Sequence, residues 1–139
     1  MRPFVDTNVL VYAHDRDEPE KQAAALALLG ELAGELVLSA QVLAEFYVAV
    51  TRKLGQPLDE ATAAAQVADL AQGAVVATDA GLVVESISLR NRHQLSLWDA
   101  MIVRAAVRGG CDTILTEDLS DGATYDGVAV RNPFAPAAG

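Results

Sequence analysis

The chain has 139 residues, a formal net charge of −9, a pI near 4.5 and a mean hydropathy of +0.24. Its length sets the expectation of a single domain, residues 1–139, with a full core. The acidic balance excludes a domain that coats nucleic acid with a broad basic face, and the absence of any apolar run near the ~18 residues of a bilayer span excludes a membrane helix.

In chain order, "PFVD" (residues 3–6) reads as a strand, and Asp6-Thr7-Asn8 opens a short helix to about Ala13. "DRDEPE" is a charged turn, with Pro19 suited to the first turn of a helix from Glu18 to Ala33 that ends near Gly30 or Gly34. "ELVLS" (35–39) is a strand, and Ser39 is an N-cap for the helix "AQVLAEFYVAVTRKLG", which stops at Gly55. Leu58 to Gln72 is an Ala-rich helix with Asp59 and Glu60 in its first turn. "GAVVAT" (73–78) is a strand, and Thr78 or Asp79 caps a helix to about His93. Ser96 starts the helix "LWDAMIVRAAVRGG", closed by Gly109-Gly110. "DTILT" (112–116) and "GVAVR" (127–131) are strands, and the terminal "NPFAPAAG" is expected to be loose. Short apolar strands alternating with helices indicate an α/β fold with a mostly parallel sheet flanked by helices. Such sheets place ligands outside the carboxyl ends of their strands, where Asp6 and Asp118 fall.

Compartment and metal class follow from a few residues. The hydrophobic fraction of 52% leaves apolar surface for a partner or a second copy. Arg2 is followed at once by Pro3 and Asp6 rather than by a signal peptide's apolar stretch, and Cys111 is alone, so a cytoplasmic protein is expected. His14 and His93 have no zinc-ligand spacing and are expected at the surface or in loops.

Four acids stand in unusual settings, and each has a plain structural alternative. Asp6 can be an N-cap worth about 1 kcal/mol. Glu45 can be a solvent-facing residue at the edge of the stripe formed by Val42, Val48 and Ala49. Asp99 completes the capping pattern of "SLWD", and Trp98 beside it suggests a well-packed location. Asp118 can be a turn residue, and its neighbour Glu117 is expected to be solvated. Taken together they pose an electrostatic problem, because two carboxylates 4 Å apart repel by about 4 kcal/mol at an effective dielectric near 20. Such a cluster persists if some members protonate or if a cation sits among them. Oxygen ligands without a soft-metal set suit Mg²⁺ or Mn²⁺, which would serve phosphodiester chemistry.

"FVDTNVLVYAHD", "QVLAEFYVAVTRKL", "LSLWDAMIV" and "TILTEDLSDG", in this order and spacing, resemble the PIN-domain ribonucleases, and especially the VapC-like toxins of bacterial toxin–antitoxin pairs. The resemblance runs from about Phe4 to Phe134. It implies a PIN-like three-layer α/β fold with an acidic pocket at the strand ends, and a metal-dependent endoribonuclease acting on RNA, a transfer RNA among the candidates. By motif match Asp6 would be a primary Mg²⁺ or Mn²⁺ ligand with Asp99 as its partner. Glu45 would complete the site or hold a water, Asp118 would bind the first or a second ion, and Asn8 and Thr116 would support the site through hydrogen bonds. Asp121, close to Asp118, is a further acid that could substitute for it.

The resemblance also implies a homodimer and a cognate antitoxin, with an antitoxin helix in a groove formed by the Ala/Leu-rich helices 18–33 and 58–72 and a basic side chain in the pocket. Core packing is the alternative use of those helices. The cations Arg52-Lys53, Arg90-Arg92 and Arg104-Arg108 fall near helix ends, where they complement helix dipoles or guide RNA. Two rival readings stay open. One is a phosphoryl-transfer enzyme with Asp6 as nucleophile, although a haloacid-dehalogenase start would carry an acid where Asn8 stands. The other is a non-catalytic binding module.

Overall fold

A computed structural model describes residues 1–136. At its centre is a sheet of six strands among the described residues. β1 (Pro3–Val5) lies in the middle. β2 (Val37–Ser39) and β3 (Ala74–Val76) extend to one side, and β4 (Thr113–Leu115), β6 (Val128–Arg131) and β5 (Thr124–Tyr125) to the other. All pairings are parallel except β5 with β6. β1 and β2 are fully buried, as are Ile114 and Leu115 of β4. That is why these strands are continuous apolar runs rather than alternating ones.

The helices are α1 (Thr7–Tyr12), α2 (Pro19–Leu32), α3 (Ala40–Arg52), α4 (Glu60–Leu70), α5 (Ala80–His93) and α6 (Leu97–Arg108). The chain steps from β1 to β2 to β3 through α1–α4, then returns through α5 and α6 to β4. Right-handed crossovers therefore put the first four helices on one face and the last two on the other. The packing agrees: α1 meets α2 and α3, α3 meets α4, and α5 meets α6. The direction of winding reverses between β1 and β4, which opens a crevice at their carboxyl ends.

α3 buries Val42, Phe46 and Val50, each one helical turn apart. Full burial of each such side chain contributes about 1.5–3 kcal/mol, and it fixes the opposite face, with Glu45 and Val48, toward solvent. α6 is apolar nearly all round, burying Ala100, Met101, Ile102, Val103, Ala105 and Ala106, as expected of a helix pressed against a sheet. At its end Gly109 passes so close to β2 that a Cβ there would stand 2.9 Å from Val37 Cγ1.

The expected caps form: Ser39 accepts from the Val42 N–H, Asp79 from Leu82 and Ser96 from Asp99. Thr78, the other candidate for the α5 cap, instead accepts from the Gln41 N–H. β5 was not anticipated. It pairs with β6 through Asp126-Gly127, whose φ values of +49° and +85° make the tight hairpin turn for which an Asp-Gly pair is suited. The segment after β6 is also better packed than expected. Phe134 meets Tyr12 edge-on with ring centroids 4.9 Å apart, and its N–H donates to Asn132 Oδ1. The remainder of the segment expected to be loose, residues 137–139, lies outside the described residues.

Candidate active site

Asp6 follows β1 directly and its N–H donates to Leu115 O of β4 at 3.0 Å, which places it at the crevice. Only 5% of it is exposed. Its Oδ1 accepts from the Thr7 N–H at 2.7 Å and its Oδ2 from the Thr116 hydroxyl at 2.8 Å. The N-cap role is therefore real, and it coexists with a position in the pocket. Burial pushes the Asp6 carboxyl up from 3.8 to about 6; the Thr116 and Thr7 hydrogen bonds oppose that rise, and the charges of Asp118 and Glu45 add to it.

Thr116 is the hub behind these acids. Its hydroxyl donates to Asp6 and accepts from Asn8 Nδ2 at 3.1 Å and from the Asp118 N–H at 3.0 Å. One proton and two lone pairs are thus all engaged. Asn8 Nδ2 also donates to Asp118 Oδ2 at 3.1 Å, and Asn8 Oδ1 accepts from the Glu117 N–H at 3.3 Å. One asparagine on α1 therefore ties down the whole 116–118 segment.

Asp99, in the first turn of α6, is half-buried, and burial raises its carboxyl. The Ser96 hydrogen bond opposes that rise and the Asp118 charge adds to it. Glu45 is exposed on α3, where Gln41 Nε2 donates to its Oε1 at 2.7 Å. Asp118 is exposed as well. The four acids thus act on one another in pairs: Asp6 with Asp118, Asp6 with Glu45, and Asp99 with Asp118. Among the described residues no three acidic, histidine or cysteine side chains stand close enough to hold one ion unaided. The arrangement is an open set of oxygen donors rather than a closed cage. Asp121 is drawn away, accepting from the Asn132 N–H at 2.9 Å.

Two buried polar atoms near Glu45, Thr7 Oγ1 and Gln41 Oε1, have no partner among the described residues. Thr7 lies with Glu45, Val48 and Lys53 along an open groove of about 320 Å³, and Gln41 with Glu45 and Trp98 along another of about 370 Å³. An unpaired buried oxygen is costly unless something else completes it. A hydrated cation beside these acids and oxygens is compatible with that donor set.

Several neighbours differ from expectation. Trp98 is not well packed but 66% exposed, because burial of Ala100 and Met101 turns it outward. Glu117 is not solvated: it is half-buried and accepts from the Tyr12 hydroxyl and from Lys21 Nζ. Arg104 binds Glu85 of α5, Arg108 binds Glu85 and the α5 N-cap Asp79, and Arg92 binds Asp126, so these cations serve helix and hairpin packing. His93 shares Asp126 with Arg92, and His14 lies half-buried near Phe46.

A mostly parallel sheet whose winding reverses between β1 and β4, with Asp6 and Asp118 following the carboxyl ends of those strands, defines a class. Residues 4–120 match the PIN domain family, and the chain belongs to it. The structure resembles that of VapC20 from Mycobacterium tuberculosis, a sarcin–ricin-loop-cleaving toxin, at 20% identity over 84% of this chain and 89% of that one, with a TM-score of 0.67. It also resembles a chain of a Klebsiella pneumoniae toxin–antitoxin complex, at 21% identity over 95% and 98% with a TM-score of 0.68. A third likeness is to VapBC2 from Rickettsia felis, solved with a promoter DNA fragment, at 17% identity over 95% and 98% with a TM-score of 0.64. No curated protein matches the sequence.

Proposed function

We propose that this chain is a metal-dependent endoribonuclease of the VapC-like toxin type, restrained by a cognate antitoxin. The observation that carries the proposal is the convergence at the β1/β4 crevice: a 5%-exposed Asp6 feels the charges of Asp118 and Glu45, and Asp99 feels that of Asp118. Folding such acids together is unfavourable without a counter-charge. The PIN family supports a nuclease, and the sarcin–ricin-loop activity of one structural neighbour supports RNA as substrate; a transfer RNA is one candidate.

In this reading Asp6 and Asp99 hold a Mg²⁺ or Mn²⁺ ion, and Glu45 and Asp118 complete its surroundings. When bound, the ion would lower the pKa of a water and offset charge on the scissile phosphodiester. The protein supplies orientation. Thr7 and Thr116 hold both Asp6 oxygens, Asn8 aims Asp118, and Gln41 aims Glu45. Lys53, on the groove that leads away from Glu45, is the cation best placed to meet the RNA backbone. Two residues after Asp6, where an aspartyl-nucleophile start of the haloacid-dehalogenase kind carries an acid, stands the amide of Asn8, bound to Thr116 and Asp118. The cytoplasmic setting, the single domain, the homodimer and an antitoxin helix against the exposed apolar residues belong to the same proposal. That helix is expected against the Ala/Leu-rich α2 and α4, and the exposure of Leu26 on α2 supports such an association.

Incubation with a mixed RNA substrate tests this. Cleavage should require Mg²⁺ or Mn²⁺, stop with excess chelator, and be lost in Asp6→Asn while circular dichroism shows an intact fold. Full cleavage by that variant, or by wild type in chelator, would refute the assigned chemistry.

A further inference from the structure

Between Thr116 and Asp118 sits an acid for which the nuclease reading has no use. Glu117 turns away from the crevice toward α1 and α2. Its Oε1 accepts from the Tyr12 hydroxyl at 2.5 Å and its Oε2 from Lys21 Nζ at 3.0 Å. Lys21 Nζ also donates to the Tyr12 hydroxyl at 3.2 Å and stands 4.8 Å from the centroid of its ring. Phe134 packs edge-on against that ring, and Lys21 Nζ stands 6.0 Å from the Phe134 centroid as well. The chain therefore alternates: Thr116 reaches inward to Asp6, Glu117 backward to Tyr12 and Lys21, and Asp118 inward to Asn8.

This cluster does not pay for itself as a source of global stability. The Lys21 and Glu117 side chains are 37% and 22% exposed, and ion pairs at such exposure contribute little. What it does constrain is a short irregular segment after β4 that carries one of the four acids. Asp118 is exposed, and among the described residues its carboxylate has one hydrogen-bonded tether, Asn8 Nδ2. Its direction therefore depends on how the two residues before it are held.

We propose that Tyr12, Lys21 and Glu117 form a latch and that Glu117 is a positioning residue, setting Asp118 for capture of the divalent ion. The inference rests on the metal-dependent reading above. A support placed behind a metal ligand commonly carries about 10- to 100-fold in metal affinity.

The test is Mn²⁺ titration calorimetry on the full chain at pH 7.5, with thermal melts alongside. Glu117→Gln should weaken Mn²⁺ binding by about 10- to 100-fold with a melting temperature close to wild type. Tyr12→Phe and Lys21→Met should weaken it in the same direction by less, and these variants carry the test if Glu117→Gln does not fold. In an Asp118→Ala background, adding Glu117→Gln should change the affinity by less than about twofold, because the residue acts through Asp118. Wild-type affinity in Glu117→Gln overturns the latch. So does an equal loss with and without Asp118, which marks a merely structural role. No Mn²⁺ binding by wild type is a different result: it overturns the metal reading itself and the latch with it.

Discussion

Replacing Asp6 with asparagine should make the metal-free fold more stable at neutral pH. Burial holds the Asp6 carboxyl at about 6 in the folded chain against 3.8 for the ordinary group. Below 3.8 both states are protonated and the residue is neutral to folding. Between 3.8 and about 6 the native state keeps a proton that the unfolded chain releases, so stability falls as pH rises. Above about 6 the penalty is complete. At about 1.4 kcal/mol per pH unit the gap amounts to about 3 kcal/mol. Asparagine escapes it but loses the bond from Thr116, worth about 1 kcal/mol, leaving a net gain of about 2 kcal/mol at pH 7.5. The assay is urea unfolding with chelator present at pH 4, 5, 6 and 7.5, reading the difference between variant and wild type. Other carboxylates cancel in that difference. The difference should grow with pH up to about 6 and then level off. A pH-independent difference, or a variant less stable than wild type at pH 7.5, would refute the reasoning.

Thr116→Val removes a hydroxyl that makes three hydrogen bonds; urea unfolding should show a loss of about 1–3 kcal/mol. In RNA-binding titrations across salt concentrations, Lys53→Ala should flatten the logarithmic slope by about 0.7, the value for one phosphate contact on a single strand. Arg108→Ala should leave that slope unchanged, since Arg108 is engaged with Asp79 and Glu85. Asp126 is held down at about 2 by Arg92 and then His93, so its contribution is present above 3.8 and is lost as pH falls through about 2. Asp126→Asn should therefore flatten the decline of the melting temperature between pH 4 and pH 2.5.

Much of this was legible because periodicity and capping are local. The α3 stripe of Val42, Phe46 and Val50 and the caps Ser39 and Ser96 follow from spacing alone, and the alternation of strand and helix places Asp6 and Asp118 at strand ends. What was missed depends on tertiary direction. Trp98 and Asp99 are adjacent, yet the buried face of α6 begins at Ala100, so the large aromatic faces solvent. Glu117 reads as one more charge in "TEDL", and its partners Tyr12 and Lys21 lie about a hundred residues earlier. Local sequence offers the cations near helix ends only dipoles or RNA as partners, whereas Arg92, Arg104 and Arg108 meet carboxylates on other elements. The Asp126-Gly127 hairpin carries a local signal in "YDGV", a faint one because β5 is only Thr124–Tyr125.

Asp118 acts on both Asp6, just after β1, and Asp99, on α6, and in the proposed reading Asp6 and Asp99 share one divalent cation. Titration of the metal-free protein with Mn²⁺ at pH 7.5 tests it most directly. Wild type should bind saturably and stoichiometrically, and binding should be lost in both Asp6→Asn and Asp99→Asn. Binding that survives unchanged in either variant would contradict it, as would no binding by the wild-type chain.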